Sequence, residues 1–142
     1  MTKYDARGTQ LEYSTDGGST WTKVAQVINI TGPGLNADTE DATDHDSPGG
    51  FEEVLVTILR TGEVTLELHY DPADPTHDAS DGLISLWENR TEVEWRLTFP
   101  DAANTEWTFD GYVISPGEPS APHDGKLTSS VTIKVTGEPT LA

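Results

Sequence analysis

Apolar and polar residues alternate along most of this chain. Val64, Leu66, Leu68 and Tyr70 share one phase, and Glu63, Thr65, Glu67 and His69 the other. Val93, Trp95, Leu97 and Phe99 alternate with Glu92, Glu94, Arg96 and Thr98. Trp107, Phe109 and Val113 mark one face of a following strand, and Leu127, Val131, Ile133 and Val135 one face of the last. A period of two is that of a half-buried β-strand. Residues 11–13 and 21–30 flank a hairpin turn at Asp16, Gly17 and Gly18. Between residues 54 and 59, Val54, Val56 and Ile58 alternate with Leu55 and Leu59, so both faces are apolar and call for cover on two sides. Thr61 and Gly62 read as a two-residue turn joining that strand to the next.

Helical spacing occurs once, over residues 80–89, where Leu83, Leu86 and Trp87 lie at i, i+3 and i+4. Ser80 or Asp78 can cap its start. So short a helix must be held by packing Leu83 and Trp87 on a sheet. Trp95 and Trp107 also occupy apolar phases and read as core. Loops follow at 71–78, stiffened by Pro72 and Pro75, and at 116–124; residues 101–104 form a turn. About seven strands and one helix predict a single, mainly β domain spanning residues 1–142. Its class is an antiparallel β-sandwich or partly closed barrel with one short flanking α-helix. The wide polar faces predict a sheet surface turned to water or a channel.

Residues 33–52 break the pattern. They form a long acidic loop bearing Asp38, Glu40, Asp41, Asp44, Asp46 and Glu52, with Glu53 just beyond and only Leu35 and Phe51 as apolar anchors. No Lys or Arg stands between Lys23 and Arg60. A loop of this length is functional or disordered, and alone it would be loose. Two readings stay open: a solvated loop, or an arm that orders on another subunit.

Composition narrows the function. The formal net charge is −17, which argues against nonspecific nucleic-acid binding and opposes self-association unless an interface overrides it. With no cysteine, thiol chemistry is excluded. The start, Met-Thr-Lys-Tyr-Asp, lacks the apolar run of a signal peptide, and no segment reaches membrane-spanning length, so no membrane anchor is expected.

Candidate chemistry is sparse. No nucleophile elbow, zincin helix, phosphate loop or dinucleotide fingerprint is present, so no enzyme activity and no cofactor is expected. His45, His69, His77 and His123 lack ligand spacing. An EF-hand begun at Asp44 would place Pro48 at a ligand position and Leu55 where the bidentate Glu belongs, so no metal site is expected. Glu92 with Glu94, or Glu63 with Glu67, imitates a glycosidase pair, but two-residue spacing on a strand describes a solvated face. Ser14-x-Asp16-x-Gly18-x-x-Trp21 fits the Asp-box of sialidase-like propellers. It occurs once, without a blade-length repeat, and reads as turn chemistry.

The string Asp41-Ala-Thr-Asp-His-Asp-Ser-Pro-Gly-Gly-Phe-Glu-Glu, followed by Thr61-Gly-Glu-Val-Thr-Leu-Glu-Leu-His-Tyr-Asp-Pro72, resembles the major tail tube proteins of long, non-contractile-tailed phages. The likeness continues through Trp95-Arg96-Leu97, Phe99-Pro100-Asp101, Phe109-Asp-Gly-Tyr112 and Ser130-Val-Thr-Ile-Lys-Val-Thr-Gly137, nearly the whole chain. It implies a structural virion protein, made in the host cytoplasm, that forms hexameric rings stacked into a tube. Tape-measure, tail-tip and terminator proteins are its implied partners. Genomic DNA would pass through without specific binding. The resemblance also implies that the long loop, with Asp38, Glu40, Asp41, Asp44, Asp46 and Phe51, reaches the adjacent ring. A lumen should repel DNA, and alternation offers Glu92, Glu94, Glu106 and Asp110 as lumen-facing candidates. The competing class is a β-sandwich recognition module, carbohydrate-binding or adhesive, within a larger particle.

Overall fold

The computed structural model describes residues 2–141. Nine strands and one helix follow in order: β1 (Gln10–Ser14), β2 (Thr22–Lys23), β3 (Val27–Thr31), β4 (Asn36–Asp41), β5 (Val54–Arg60), β6 (Glu63–His69), α1 (Leu83–Glu88), β7 (Val93–Thr98), β8 (Glu106–Ser115) and β9 (Thr128–Leu141). Seven strands form one antiparallel sheet in the order β2-β1-β7-β8-β9-β6-β3, curled into a half-barrel. The curl brings Ile30 of β3 and Leu97 of β7 to the same cavity, although they are far apart in sheet order. The mainly β, partly closed architecture agrees with the alternation.

One phase of each strand builds the core. Leu11, Tyr13, Val64, Leu66, Leu68, Val93, Trp95, Leu97, Phe109, Val131, Ile133 and Val135 are all buried there, with Leu83 and Leu86 of α1 packed over them. Trp95 sits at the centre, fully covered. Its indole Nε1–H donates to the Gly111 carbonyl at 3.2 Å, so the ring is buried without an orphaned donor. The helix is shorter than residues 80–89. Asp78 Oδ1 accepts the N–H groups of Ser80, Asp81 and Gly82, which holds those residues in the turn that leads into α1. Leu83 and Leu86 are buried as expected, but Trp87, expected in the core, is 46% exposed. Six helical residues point only one short stripe inward.

The Asp-box residues do turn chemistry. Ser14 Oγ accepts the Gly18 N–H at 2.9 Å and donates to Asp16 Oδ1 at 2.7 Å, and that carboxylate also accepts the N–H groups of Ser19 and Thr20. The Ser14 hydroxyl, first, and those amides hold the Asp16 carboxyl below the usual range.

Two expectations about the centre of the chain need correction. First, residues 33–52 are not structureless. β4 lies inside them and pairs with β5 as a separate two-stranded sheet. Second, β5 and β6 are not a hairpin. β6 pairs with β3 and β9, so Thr61 and Gly62 are the pivot at which the chain leaves one sheet and enters the other. Gly62 has φ of +65°, and a Cβ there would stand 2.6 Å from the Gly34 carbonyl. The two chain segments at the base of the β4–β5 hairpin therefore nearly touch, and only glycine permits it.

Candidate assembly interface

The β4–β5 hairpin projects from the body as an arm. No hydrogen bond or ion pair among the described residues ties residues 38–57 to the half-barrel; their partners lie within the arm. β5 is the most apolar strand of the chain, and every one of its residues is exposed. Val54 is 51% exposed, Leu55 60%, Val56 62%, Ile58 55% and Leu59 77%. The register slips between Ala37 and Thr39, pairing Ala37 with Leu59, Thr39 with Val56 and Asp41 with Val54. Directly paired residues share a face, so the bulge gathers Val54, Val56 and Leu59 on one side and leaves Leu55 with Arg60 on the other. Both sides are bare. The expected cover on two faces is absent from the single chain, which is the mark of a surface waiting for a partner.

β4 has no strand-like composition of its own. It is held by the ladder to β5 and by Arg60, whose Nε and Nη2 donate to Asp38 Oδ2 at 2.9 and 2.6 Å. That guanidinium holds the Asp38 carboxyl below the usual range. Beyond the strands, Thr43 Oγ1 accepts the Glu53 N–H at 2.8 Å, Asp41 Oδ1 accepts the Thr43 N–H, and Ser47 Oγ accepts the Asp44 N–H. A 3-10 turn at Pro48–Gly50, with Gly49 at φ of +65°, ends the tip. Phe51 follows, with 76% of its surface in solvent. Of the six loop residues singled out by sequence, Asp38 is consumed by Arg60, while Glu40, Asp41, Asp44, Asp46 and Phe51 are exposed. The sequence reading left the apolar residues of β5 out of the candidate site, although all of them are exposed. Their two-sided apolarity beside an acidic segment was the signal.

The four lumen candidates do share a face. Register pairs Glu94 with Asp110 and Thr98 with Glu106, and the Tyr112 hydroxyl donates to Glu92 at 3.3 Å. The Glu92 charge, first, raises the Tyr112 pKa. This outer face also carries Arg96, in the same phase as Glu92 and Glu94 as the alternation predicts. Its guanidinium binds Glu12 at 2.9 Å, approaches Glu106 at 3.7 Å and lies 4.4 Å from the centre of the Trp21 ring. Register adds Lys23 beside Glu12 and Lys134 beside Tyr112, so the face is acidic with cations set among its carboxylates, not a plain wall of carboxylates. Among the described residues, no three His, Asp or Glu side chains group to hold a metal ion, and no helix is long and apolar enough to cross a membrane.

A half-barrel whose core is complete, carrying its most apolar strand on an external arm, defines a subunit built to assemble. Residues 3–142 match the lambda phage tail tube protein family, and the chain belongs to that family. Its role is structural, that of a tail tube protein in a virion tail. The fold is similar to that of the tail of an empty gene transfer agent particle, refined with C6 helical symmetry. That comparison has a TM-score of 0.80 and 15% identity and covers 99% of each chain. It is similar also to the SPP1 tail tube, with a TM-score of 0.58, 11% identity and coverage of 91% of this chain and 73% of that one. A sheath/tube terminator of an extracellular contractile injection system gives a TM-score of 0.71 at 10% identity, covering 99% and 98%. No curated protein matches by sequence.

Proposed function

We propose that this single-domain chain closes hexameric rings that stack into the tube through which genomic DNA leaves the virion. The observation that carries the reading is the exposure of β5 on both faces. A strand of this composition gains roughly 1–2 kcal/mol per side chain when a neighbour covers it, and a subunit that repeats the contact forms a ring or filament. The free edges of β3 and β5 offer unpaired backbone groups to neighbouring copies. The C6 symmetry named for the similar gene transfer agent tail supports six copies per ring. The likeness to a tube terminator supports partners at the tube ends, with tape-measure and tail-tip proteins as the others. Synthesis in the host cytoplasm fits a chain that joins such a tail.

The outer face with Glu92, Glu94, Glu106 and Asp110 would line the lumen. Like charges at short range repel, and low-dielectric walls strengthen the field, so DNA slides without adhering. The arm gives the direct test. Because Gly34 and Gly62 nearly meet, residues 35–61 can be replaced by two glycines without straining the body. The excised chain should keep its circular dichroism and melt as a folded monomer, yet form no tubes by electron microscopy. Normal tubes from it would refute the role of the arm.

A further inference from the structure

The body carries a hollow whose chemistry complements the arm tip. It has a volume of about 500 Å3 and opens beside the N-terminal segment, with Tyr4, Ala6, Ile30, Leu97, Phe99 and Pro100 as its apolar lining. Two carboxylates also border it, and both are engaged locally. Asp101 accepts the Thr105 N–H at 2.7 Å and the Thr105 hydroxyl at 2.6 Å, and Asp5 accepts the Arg7 N–H at 2.9 Å. Lys3 precedes the lining residue Tyr4 in the chain, Arg7 lines an adjoining cleft that shares Ala6, Thr9 and Ile30 with the hollow, and Lys23 lines another that shares Thr9. Among the described residues none of these three cations has an ion pair, nor do Arg90, Lys126 and Lys134, whereas Arg60 and Arg96 do.

The arm tip is acidic and carries an exposed aromatic ring. Phe51 is an exposed aromatic knob, flanked by Asp44, Asp46, Glu52 and Glu53. A chain's own tip cannot fill its own hollow. Gly32, which also lines it, lies at the arm base, and β5 alone spans roughly 24 Å of stiff ribbon between base and tip. The occupant has to be another copy.

We propose that the arm tip of one subunit docks in the hollow at the arm base of a second copy. Phe51 fills the apolar hollow, and Asp46, Glu52 and Glu53 face Lys3 and Arg7. Burying an exposed phenyl ring supplies hydrophobic free energy, and the surrounding charges set orientation and encounter rate. The contact is head-to-tail, so it propagates from copy to copy. This inference rests on the tube-forming reading and names the surface on which the arm lands.

The chain has no cysteine, so introduced pairs report cleanly. Pro48→Cys, at the tip beside Phe51, with Ala6→Cys keeps the ring and, treated with a short bismaleimide after assembly, should give a ladder of cross-linked oligomers. Pro48→Cys with Glu118→Cys, on a loop that does not line the hollow, should not. Lys3→Glu/Arg7→Glu should raise the concentration needed for tubes at least tenfold, and adding Glu52→Lys/Glu53→Lys should restore it to within about threefold of the unmodified chain. Circular dichroism should show every variant folded. Tubes without the cross-link, or charge reversal without compensation, would overturn the docking site while leaving the tube reading intact. Absence of tubes from the unmodified chain would overturn both.

Discussion

The sharpest consequence of the arm is that stability and assembly separate at Val56 and Leu59. These side chains share the bulged face of β5 and are 62% and 77% exposed. Fully burying a valine or leucine is worth roughly 1.5–3 kcal/mol, so covering the exposed fractions on a neighbour gains about 3 kcal/mol for the pair. Val56→Asp/Leu59→Asp removes that gain and adds the cost of desolvating two carboxylates, several kcal/mol each if they are covered. With tenfold in equilibrium constant for each 1.4 kcal/mol, the concentration needed for assembly should rise at least about a hundredfold. The monomer should hardly notice. Neither side chain belongs to the core, and such surface changes stay within about 0.5 kcal/mol. Sedimentation velocity over a concentration series measures the first effect, electron microscopy confirms it, and a thermal melt measures the second. Val56→Ala/Leu59→Ala should fall between the native chain and the double aspartate. Tubes from the double aspartate at the native concentration would refute the argument. So would a melt lowered by several degrees, which would mean that the arm supports the body.

Three further outcomes follow from the core, the carboxylates and the outer face. Trp95→Ala should cost roughly 3–5 kcal/mol and leave the Gly111 carbonyl unpaired, lowering the melting temperature by about 10 °C or more. Trp107→Ala should cost clearly less, because that ring is only half-buried against Phe99. The carboxyls of Asp16, Asp38, Asp41, Asp74 and Asp101 are all held below the usual range, chiefly by Ser14, Arg60, Thr43, Thr76 and Thr105 in turn. A lowered folded-state pKa stabilises above the unfolded value near 3.9 and is lost as pH falls through the folded value. The net charge of −17 works against the fold near pH 7. The melting temperature should therefore hold or rise from pH 7 to 5 and fall below pH 4; a decline already between 7 and 5 would contradict this. Glu92→Lys/Glu94→Lys should permit tubes but slow DNA ejection, and unchanged ejection from intact tails would remove these residues from the lumen.

Alternation made the body legible. The faces of β6, β7, β8 and β9 were readable residue by residue, because a curled sheet with one buried side imposes a strict period of two. β4 was invisible for the converse reason. Asn36-Ala-Asp-Thr-Glu-Asp41 contains no large apolar residue and is a strand only because β5 lies beside it. The false hairpin came from adjacency. β5 and β6 are contiguous, and no local signal distinguishes a turn from a pivot that sends the chain to a different sheet. The bulge that moves Leu59 to the face of Val56 is likewise a property of the pair, not of either strand. At the outer face, the phase of Glu92, Glu94, Glu106 and Asp110 was readable. The clamp of Glu12 on Arg96 was not, because 84 positions separate them.

A strand like β5 ought to be a liability. Val-Leu-Val-Thr-Ile-Leu is high in β-propensity and free of charge and proline, the composition that stacks into aggregates when exposed. Its surroundings explain how a subunit can display it in solution. Glu52 and Glu53 precede it and Arg60 ends it, so charges guard both ends of the apolar run. β4 covers one edge with an acidic strand, and two arms meeting along their β4 edges would bring Asp38, Glu40 and Asp41 of each close together. The net charge of −17 adds a general repulsion between chains. On the proposed docking an encounter succeeds where a neighbour offers apolar cover together with cations, and among the described residues the cations without an ion pair lie on the body. On the proposed docking, charge would select against arm-to-arm contact and in favour of arm-to-body contact, a head-to-tail geometry that can propagate into rings and tubes. The same acidity that argues against nucleic-acid binding would then direct assembly, and its cost to the monomer is bounded because the core closes without the arm.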